Sequence, residues 1–332
     1  MDRPGSIEEV QVINTPTKSQ APTSTPTFVP TYTPTPEPLG QENNPIIMGF
    51  IQPDIDQVSR DSAATLIDFL YSNTGLTITS QFFISYQEAE EALMNNQLHF
   101  VWFDPIEYIL ASNKLLVRSA LVTNHLGVTS YGIRILSHID APYTSFFDEA
   151  NNVATADIYT ALTQFSGSRP CFVQEPSLTG NLIPIGLFLQ ASIPFSNPVI
   201  TFATSANLRA LYVKGICDFT STYSSFGDPR TASDLQQDLP DIMDKVQVIW
   251  QSDNMIPNLN LSYSTNLELP LQNKIIEALK TFVKTTEGQV TLSKVTDYSI
   301  EDLVPIEDSS YDYLRFLLNS QELDLYSILL SE

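Results

Sequence analysis

Leu98-His99-Phe100-Val101-Trp102-Phe103-Asp104-Pro105-Ile106-Glu107-Tyr108-Ile109-Leu110-Ala111 changes character half-way. Leu98–Phe103 is apolar and aromatic, as a strand must be when both faces of its sheet are covered. Pro105 then opens a helix over Pro105–Ser112, in the first-turn position where its missing N–H costs nothing. The same step occurs twice upstream. Ile46–Ile51 reads as a strand, ended by Gln52-Pro53-Asp54. Ala63, Leu66, Ile67 and Leu70 share one helical face, and Gly75 suits the left-handed position that closes a helix. Leu76–Phe83 is the next strand and Tyr86–Asn96 the next helix, with Ala89, Ala92 and Leu93 inward. Strand–helix alternation over residues 46–112 predicts an α/β fold on a mostly parallel sheet flanked by helices. Ligands of such sheets bind beyond the carboxyl ends of the strands. That marks Gln52–Asp54, Ser85-Tyr86 and Asp104–Tyr108.

The alternation restarts downstream. Cys171–Gln174, Pro198–Phe202 and Ile216–Thr220 read as strands, separated by helices over 179–191 and Ser205–Lys214. A second βαβαβ unit predicts a second lobe. Val246–Trp250 and Asn260–Tyr263 read as strands, Leu271–Lys284 as an amphipathic helix and Ser309–Leu330 as mostly helical. The expected division is a tether over 1–44, the first part of lobe 1 over 45–133, lobe 2 over 134–250, and a return to lobe 1 with C-terminal helices over 251–332.

The chain has 332 residues and a formal charge of −22. So strong an acid excess excludes a nucleic-acid partner, which needs a basic face to meet phosphates. With 42% apolar and 10% aromatic residues, wholesale disorder is excluded as well. Prolines cluster at 16, 22, 26, 30, 34, 36 and 38, interleaved with threonines. They remove backbone donors and fix φ, so residues 1–44 are expected to be a disordered, partly polyproline-like tether. Such a tether suits a domain held off a membrane or wall outside the cytoplasm; an ordinary disordered N-terminus is the plainer reading. Residues 1–13 lack the apolar core of a signal peptide, so an exported chain would have lost its targeting segment or carry it upstream.

Gln174-Glu175-Pro176-Ser177-Leu178-Thr179-Gly180-Asn181-Leu182-Ile183-Pro184 joins a predicted strand to a predicted helix. The first amides of a helix lack intrahelical acceptors and sit at the positive end of its dipole. With the Ser177 and Thr179 hydroxyls they form an anion site that needs no lysine or arginine. Gly180 would let the backbone approach a ligand closely. An ordinary N-cap by Ser177 or Thr179 is the alternative.

This Ser-x-[Ser/Thr]-Gly-x-x-x-Pro pattern resembles the phosphonate/phosphite/phosphate-type solute-binding proteins of ABC importers. Other segments resemble that family in the same order: Ser85-Tyr86 with Glu90-Glu91-Ala92-Leu93, residues 100–111, Lys214-Gly215-Ile216-Cys217-Asp218, and Val248–Ser252 through Ile256-Pro257-Asn258. The resemblance spans about residues 46–300. It implies a two-lobed periplasmic-binding-protein-like fold of type II, closing like a hinge on a small molecule. It also implies Tyr86 and Tyr108 as ligand contacts from lobe 1, and Ser177, Thr179, Gly180 and Asn181 from lobe 2. Three departures stand out. Leu178 replaces a hydroxyl, Asp104 replaces a glycine, and no histidine lies where Thr204 or Ser205 begins a helix. Each weakens binding of a dianion, so a less anionic or partly cationic organic nutrient is a competing expectation.

In the implied fold the strands carrying Cys171 and Cys217 are neighbours. A disulfide is one reading and two small buried hydrophobes the other. His99, His125 and His138 lack metal-ligand spacing, and no catalytic or nucleotide-binding motif appears, so no metal, cofactor or enzymatic activity is expected. Arg134 and Arg209 could reach a cleft anion, although solvated positions suit them better. The expected function is an extracytoplasmic, monomeric solute-binding protein, tethered as a lipoprotein or free, that delivers a small oxyanion to an ABC permease. A ligand-sensing receptor domain is the alternative.

Overall fold

The computed structural model describes Gln11 and residues 37–329. Residues 1–10 and 12–36 of the expected tether lie outside the described residues, as does the end of the C-terminal helical expectation. The folded chain begins before residue 45: the Thr77 amide donates to the Gly40 carbonyl at 2.8 Å, and Leu39 packs on the core.

Two mixed sheets organise residues 38–329. The first runs Asp302–Pro305, Val117–Asn124, Asn260–Ser264, Phe100–Phe103, Ile46–Ile51, Ile78–Phe83. Ile46–Ile51 lies parallel to both Ile78–Phe83 and Phe100–Phe103, as βαβ connections require. Asn260–Ser264 pairs antiparallel with Phe100–Phe103 and Val117–Asn124. The second sheet runs Val199–Thr201, Pro170–Val173, Phe219–Tyr223, Ile133–His138, Val246–Gln251. Its first three strands are parallel, and Ile133–His138 is antiparallel to both its neighbours.

The first helices form where the sequence pattern places them. Gln57–Thr74 starts at Asp56, whose carboxylate accepts the Ser59 amide at 2.7 Å, and ends at Gly75, φ +66°. Its buried face is Ala63, Leu66 and Leu70 against Phe50 and Leu279 in one core cluster. Pro105–Asn113 carries Pro105 in its first turn, and the Glu107 carboxylate reaches back to the Asp104 amide at 2.8 Å.

The chain crosses between sheets over residues 125–132 and again over 252–259. The two crossings pair with each other, Tyr131 opposite Ile256 and Ser130 opposite Pro257. Gly132 sits in this ribbon because nothing larger fits: a Cβ there would lie 2.5 Å from the Asp253 carbonyl oxygen and from the Ser252 Oγ. After Asp302–Pro305 the chain spans both lobes. The Tyr311 ring packs tilted against Tyr108, centroids 4.2 Å apart, and Arg315 donates to Ser112 Oγ at 2.9 Å and bonds the Asp308 carboxylate. Gln321 then donates to the Leu182 carbonyl at 2.8 Å, in the other lobe.

Cys171 and Cys217 are joined by a disulfide, with Cα atoms 5.6 Å apart. Thr220 pairs with Cys171 across the parallel strands, which brings Cys217 beside it.

Candidate functional site

The carboxyl ends of parallel strands from both lobes face one cleft. Phe103 leads into Asp104–Glu107, Val173 into Gln174–Thr179 and Thr201 into Phe202. Together with Tyr131 from the crossing ribbon and Leu329 from the C-terminal helix they line a cavity of about 440 Å³. This is where an open α/β sheet leaves room for a ligand.

The lobe-2 wall is the turn singled out in the sequence. Leu178–Leu182 forms a wide π-type turn that leads into the helix Ile183–Gln190. Ser177 caps it, its hydroxyl accepting the Gly180 amide at 3.2 Å. The Asn181 amide is spent on the Ser177 carbonyl at 3.1 Å, and its buried side chain donates to the Val173 carbonyl at 2.6 Å. The Thr179 carbonyl is pinned by the Ser221 hydroxyl at 2.7 Å. Ser177, Leu178 and Thr179 therefore face the cavity, while Gly180 and Asn181 hold the turn together. Gly180 is required by packing and not by ligand approach: a Cβ would lie 2.6 Å from Val173 Cγ2.

Other residues singled out in the sequence sit elsewhere. Tyr86 is buried, 4% exposed, and its hydroxyl donates to Glu90 at 2.6 Å. Lys114 completes the pairing with Glu90 at 2.8 Å. Burial and Glu90 push the Tyr86 phenol far above its ordinary pKa. Tyr108 is fully buried and donates to Asp308 at 2.6 Å. Neither tyrosine lines the cleft, because helices that start at a strand's end turn these side chains into the core between lobe and C-terminal segment. Ser205 lies in the helix Thr204–Val213 and is absent from the cleft wall; Phe202, 86% exposed, stands there instead.

Arg134 is not near a cleft anion. It lies within the strand Ile133–His138, 6% exposed, bonded to Gln251 and Asn152 and paired with Asp228. Arg209 pairs with Asp234 and Asp238. The histidine rings bond to the backbone. His99 Nδ1 accepts the Ile47 amide, His138 Nδ1 accepts the Asp140 amide, and His125 Nδ1 lies 2.9 Å from the Ser299 carbonyl.

Among the described residues, Asp104, Glu107 and Glu175 line the cleft and no lysine or arginine does. Burial raises the Tyr131 and Tyr298 phenols above their ordinary range, and the nearby Asp104 carboxylate adds to the effect in both. Asp104 thus lies at a junction, since it also borders a second cavity in lobe 1 lined by Tyr298. Glu107 and Glu175 lie inside the segments Asp104–Tyr108 and Gln174–Pro184 that the sequence marked, although neither was singled out as a contact. Tyr131 and Phe202 were not reached from the sequence.

Residues 50–311 match the family model described as ABC transporter, phosphonate, periplasmic substrate-binding protein. The chain belongs to this family. It is accordingly a substrate-binding component of an extracytoplasmic transport system, working with a membrane permease, and not an enzyme. Solved structures share the fold at low identity. The Xanthomonas citri protein XAC2383 bound to ATP is 12% identical, with TM-score 0.58, covering 85% of this chain and 98% of that one. PhnD1 of Prochlorococcus marinus in complex with methylphosphonate is 14% identical, with TM-score 0.51, covering 83% and 98%. A TctC solute-binding protein from Polaromonas is 10% identical, with TM-score 0.52, covering 85% and 98%. No curated protein matches the sequence. Among the described residues of this family member, no helix is long and apolar enough to cross a membrane.

Proposed function

We propose that this protein captures a small organic oxyanion, a phosphonate or a related compound, in the cleft between Asp104–Glu107 and Gln174–Thr179. The observation that carries the reading is the capped turn at Ser177. It brings Ser177 and Thr179, with their hydroxyls, to the wall of a cavity formed by both lobes. Binding favours the closed arrangement because the ligand touches both walls at once, and the paired crossings of Ser130-Tyr131 and Ile256-Pro257 act as the hinge. The protein acts as a monomer, tethered to the membrane surface by its Thr/Pro-rich N-terminal segment, and hands the ligand to the permease.

The acid lining supports a second reading, a ligand of lower net negative charge. Asp104, Glu107 and Glu175 oppose a dianion, and among the described residues no basic side chain on the wall offsets them.

Thermal shift with methylphosphonate, phosphite, sulfonates and neutral or cationic nutrients separates the readings. A ligand at 100 times its dissociation constant adds about 2.7 kcal/mol of stability. Thr179→Ala is expected to weaken a bound oxyanion by about 1.5–3 kcal/mol, the scale of a hydrogen bond to a charged group. Unchanged affinity in this variant removes the turn from the site.

A further inference from the structure

Phe202 is the most exposed large apolar side chain among the described residues, at 86%. A single exposed apolar residue is ordinary on an open protein surface. Phe202 instead stands on the wall of the interlobe cleft. Tyr131, Leu178 and Leu329, all half-buried, line the same cavity. Leu178 comes between Ser177 and Thr179, so apolar surface lies beside the two hydroxyls of the lobe-2 turn.

The fold holds Phe202 in this exposed place. Thr201 pairs with Val173 across parallel strands, and the Gln174 amide donates to the Thr201 carbonyl at 2.8 Å. Phe202 is thereby set beside the start of Gln174–Thr179. The Thr201 hydroxyl donates to Asn207 Oδ1 at 2.6 Å, and the fully buried Asn207 donates onward to the Cys171 carbonyl at 3.3 Å. On the other side of Phe202, the Ala203 carbonyl accepts the Ala206 and Asn207 amides. Both neighbours of Phe202 are thus tied to regular structure, the strand Val199–Thr201 and the helix Thr204–Val213.

An oxyanion headgroup alone would leave this apolar surface wet. The cavity, about 440 Å³, lies in the range of about 300–1,000 Å³ usual for pockets that enclose organic ligands. Asp104, Glu107 and Glu175 oppose further negative charge on the ligand. Burial of apolar surface does not depend on charge, so it supplies an attraction that these carboxylates do not cancel.

We infer that the cleft selects an oxyanion carrying an aryl-sized apolar substituent, with Phe202 as the residue that determines this preference. The inference rests on the oxyanion reading of the Ser177 turn. With the headgroup at Ser177 and Thr179, the substituent lies against Phe202 and Leu178. Leu329 of the C-terminal helix meets it as the cleft closes. An aryl group also gains the edge or offset contact that aromatic pairs prefer. A methyl group reaches little of this surface.

Calorimetric titration of the intact chain with phenylphosphonate, methylphosphonate and benzyl alcohol tests this. Phenylphosphonate is expected to bind at least about tenfold more tightly than methylphosphonate, with the more negative heat-capacity change. In Phe202→Ala that advantage is expected to fall below about threefold, with methylphosphonate affinity unchanged. Phe202→Tyr keeps the ring and is expected to keep the advantage. Neither substitution removes core packing, because the side chain is exposed. Phenylphosphonate binding no more tightly than methylphosphonate, or an advantage that survives Phe202→Ala, overturns the preference and leaves the oxyanion reading standing. Benzyl alcohol binding as tightly as phenylphosphonate keeps the apolar wall and removes the oxyanion reading. Failure of all three probes to bind rejects both.

Discussion

The two walls of the cleft are made of different chemistry. The lobe-2 wall is a turn whose polar groups are mostly satisfied from within: Ser177 holds Gly180, Asn181 holds Val173 and Ser221 holds Thr179. The lobe-1 wall is Asp104–Glu107, whose two carboxylates also border the adjoining lobe-1 cavity. The first wall is pre-organised and offers donors. The second offers acceptors and negative charge. The difference teaches that ligand charge is decided by both walls together. A turn that suits an anion holds it less tightly when the facing wall is acidic.

The lobes also differ in how they are held. Lobe 2 is stapled by Cys171–Cys217, whereas the first sheet has no cysteine. Cys171→Ser/Cys217→Ser is therefore expected to have the largest effect, a loss of roughly 2–4 kcal/mol. Hydrogen exchange should place the loss in Pro170–Val173 and Phe219–Tyr223, with Ile46–Ile51 and Phe100–Phe103 still protected. Uniform loss of protection would mean that the two sheets unfold as one unit.

Gly180→Ala attacks the pre-organised wall directly. Its new methyl meets Val173 at 2.6 Å, and overpacking of this kind costs about 1–3 kcal/mol. Denaturant unfolding should show that cost, with weaker oxyanion binding in the same variant. An unperturbed protein would mean that the turn is looser than its hydrogen bonds indicate.

Tyr86→Phe probes lobe 1 away from the cavity. It removes one hydrogen bond to buried Glu90, which keeps Lys114. A stability loss of about 1–2 kcal/mol with unchanged ligand affinity is expected. Weakened binding at unchanged stability would restore Tyr86 as a ligand contact.

The smallest effect is a pH dependence on the lobe-2 side. Burial disfavours charge on Asp228, but hydrogen bonds from Arg230 and the charges of Arg230 and Arg134 outweigh it, so its carboxyl stays below the usual range. A depressed folded-state pKa stabilises fully above the unfolded value, near about 3.9, and the contribution fades as pH falls through the folded value. Acid titration of Asp228→Asn should accordingly show a shallower loss of stability below about pH 4 than the parent chain.

The strands and helices with strong patterns were legible. Ile46–Ile51, the helix ending at Gly75, and the step from Phe103 into Pro105 all form as the sequence predicts. Residues 113–170 were not legible in this way. Val117–Asn124 has Arg118, Ser119 and Thr123 among its apolar residues, and Ile133–His138 contains Arg134, Ser137 and His138. Their strand state depends on partners far along the chain. The helix Thr286–Thr296 was missed for a similar reason: its intrinsic apolar face is weak, and it is held by packing on Gln57–Thr74. At the site, the Ser177 turn was visible because capping chemistry is local. Tyr131 and Phe202 were not, since nothing near them in sequence says that they face the same cavity.

By itself the sequence determined the α/β class, the Thr/Pro composition of the first residues, the acid excess and the one turn able to offer donors, because propensity, composition and capping act over a few residues. Only the tertiary structure decided that Tyr86 and Tyr108 turn inward, that Arg134 is spent on Asp228, and that Gln52, Asp54 and Asp297 meet around one cavity. Those outcomes depend on which side chains become neighbours when strands some 30 to 180 residues apart are placed edge to edge, and no local pattern records that.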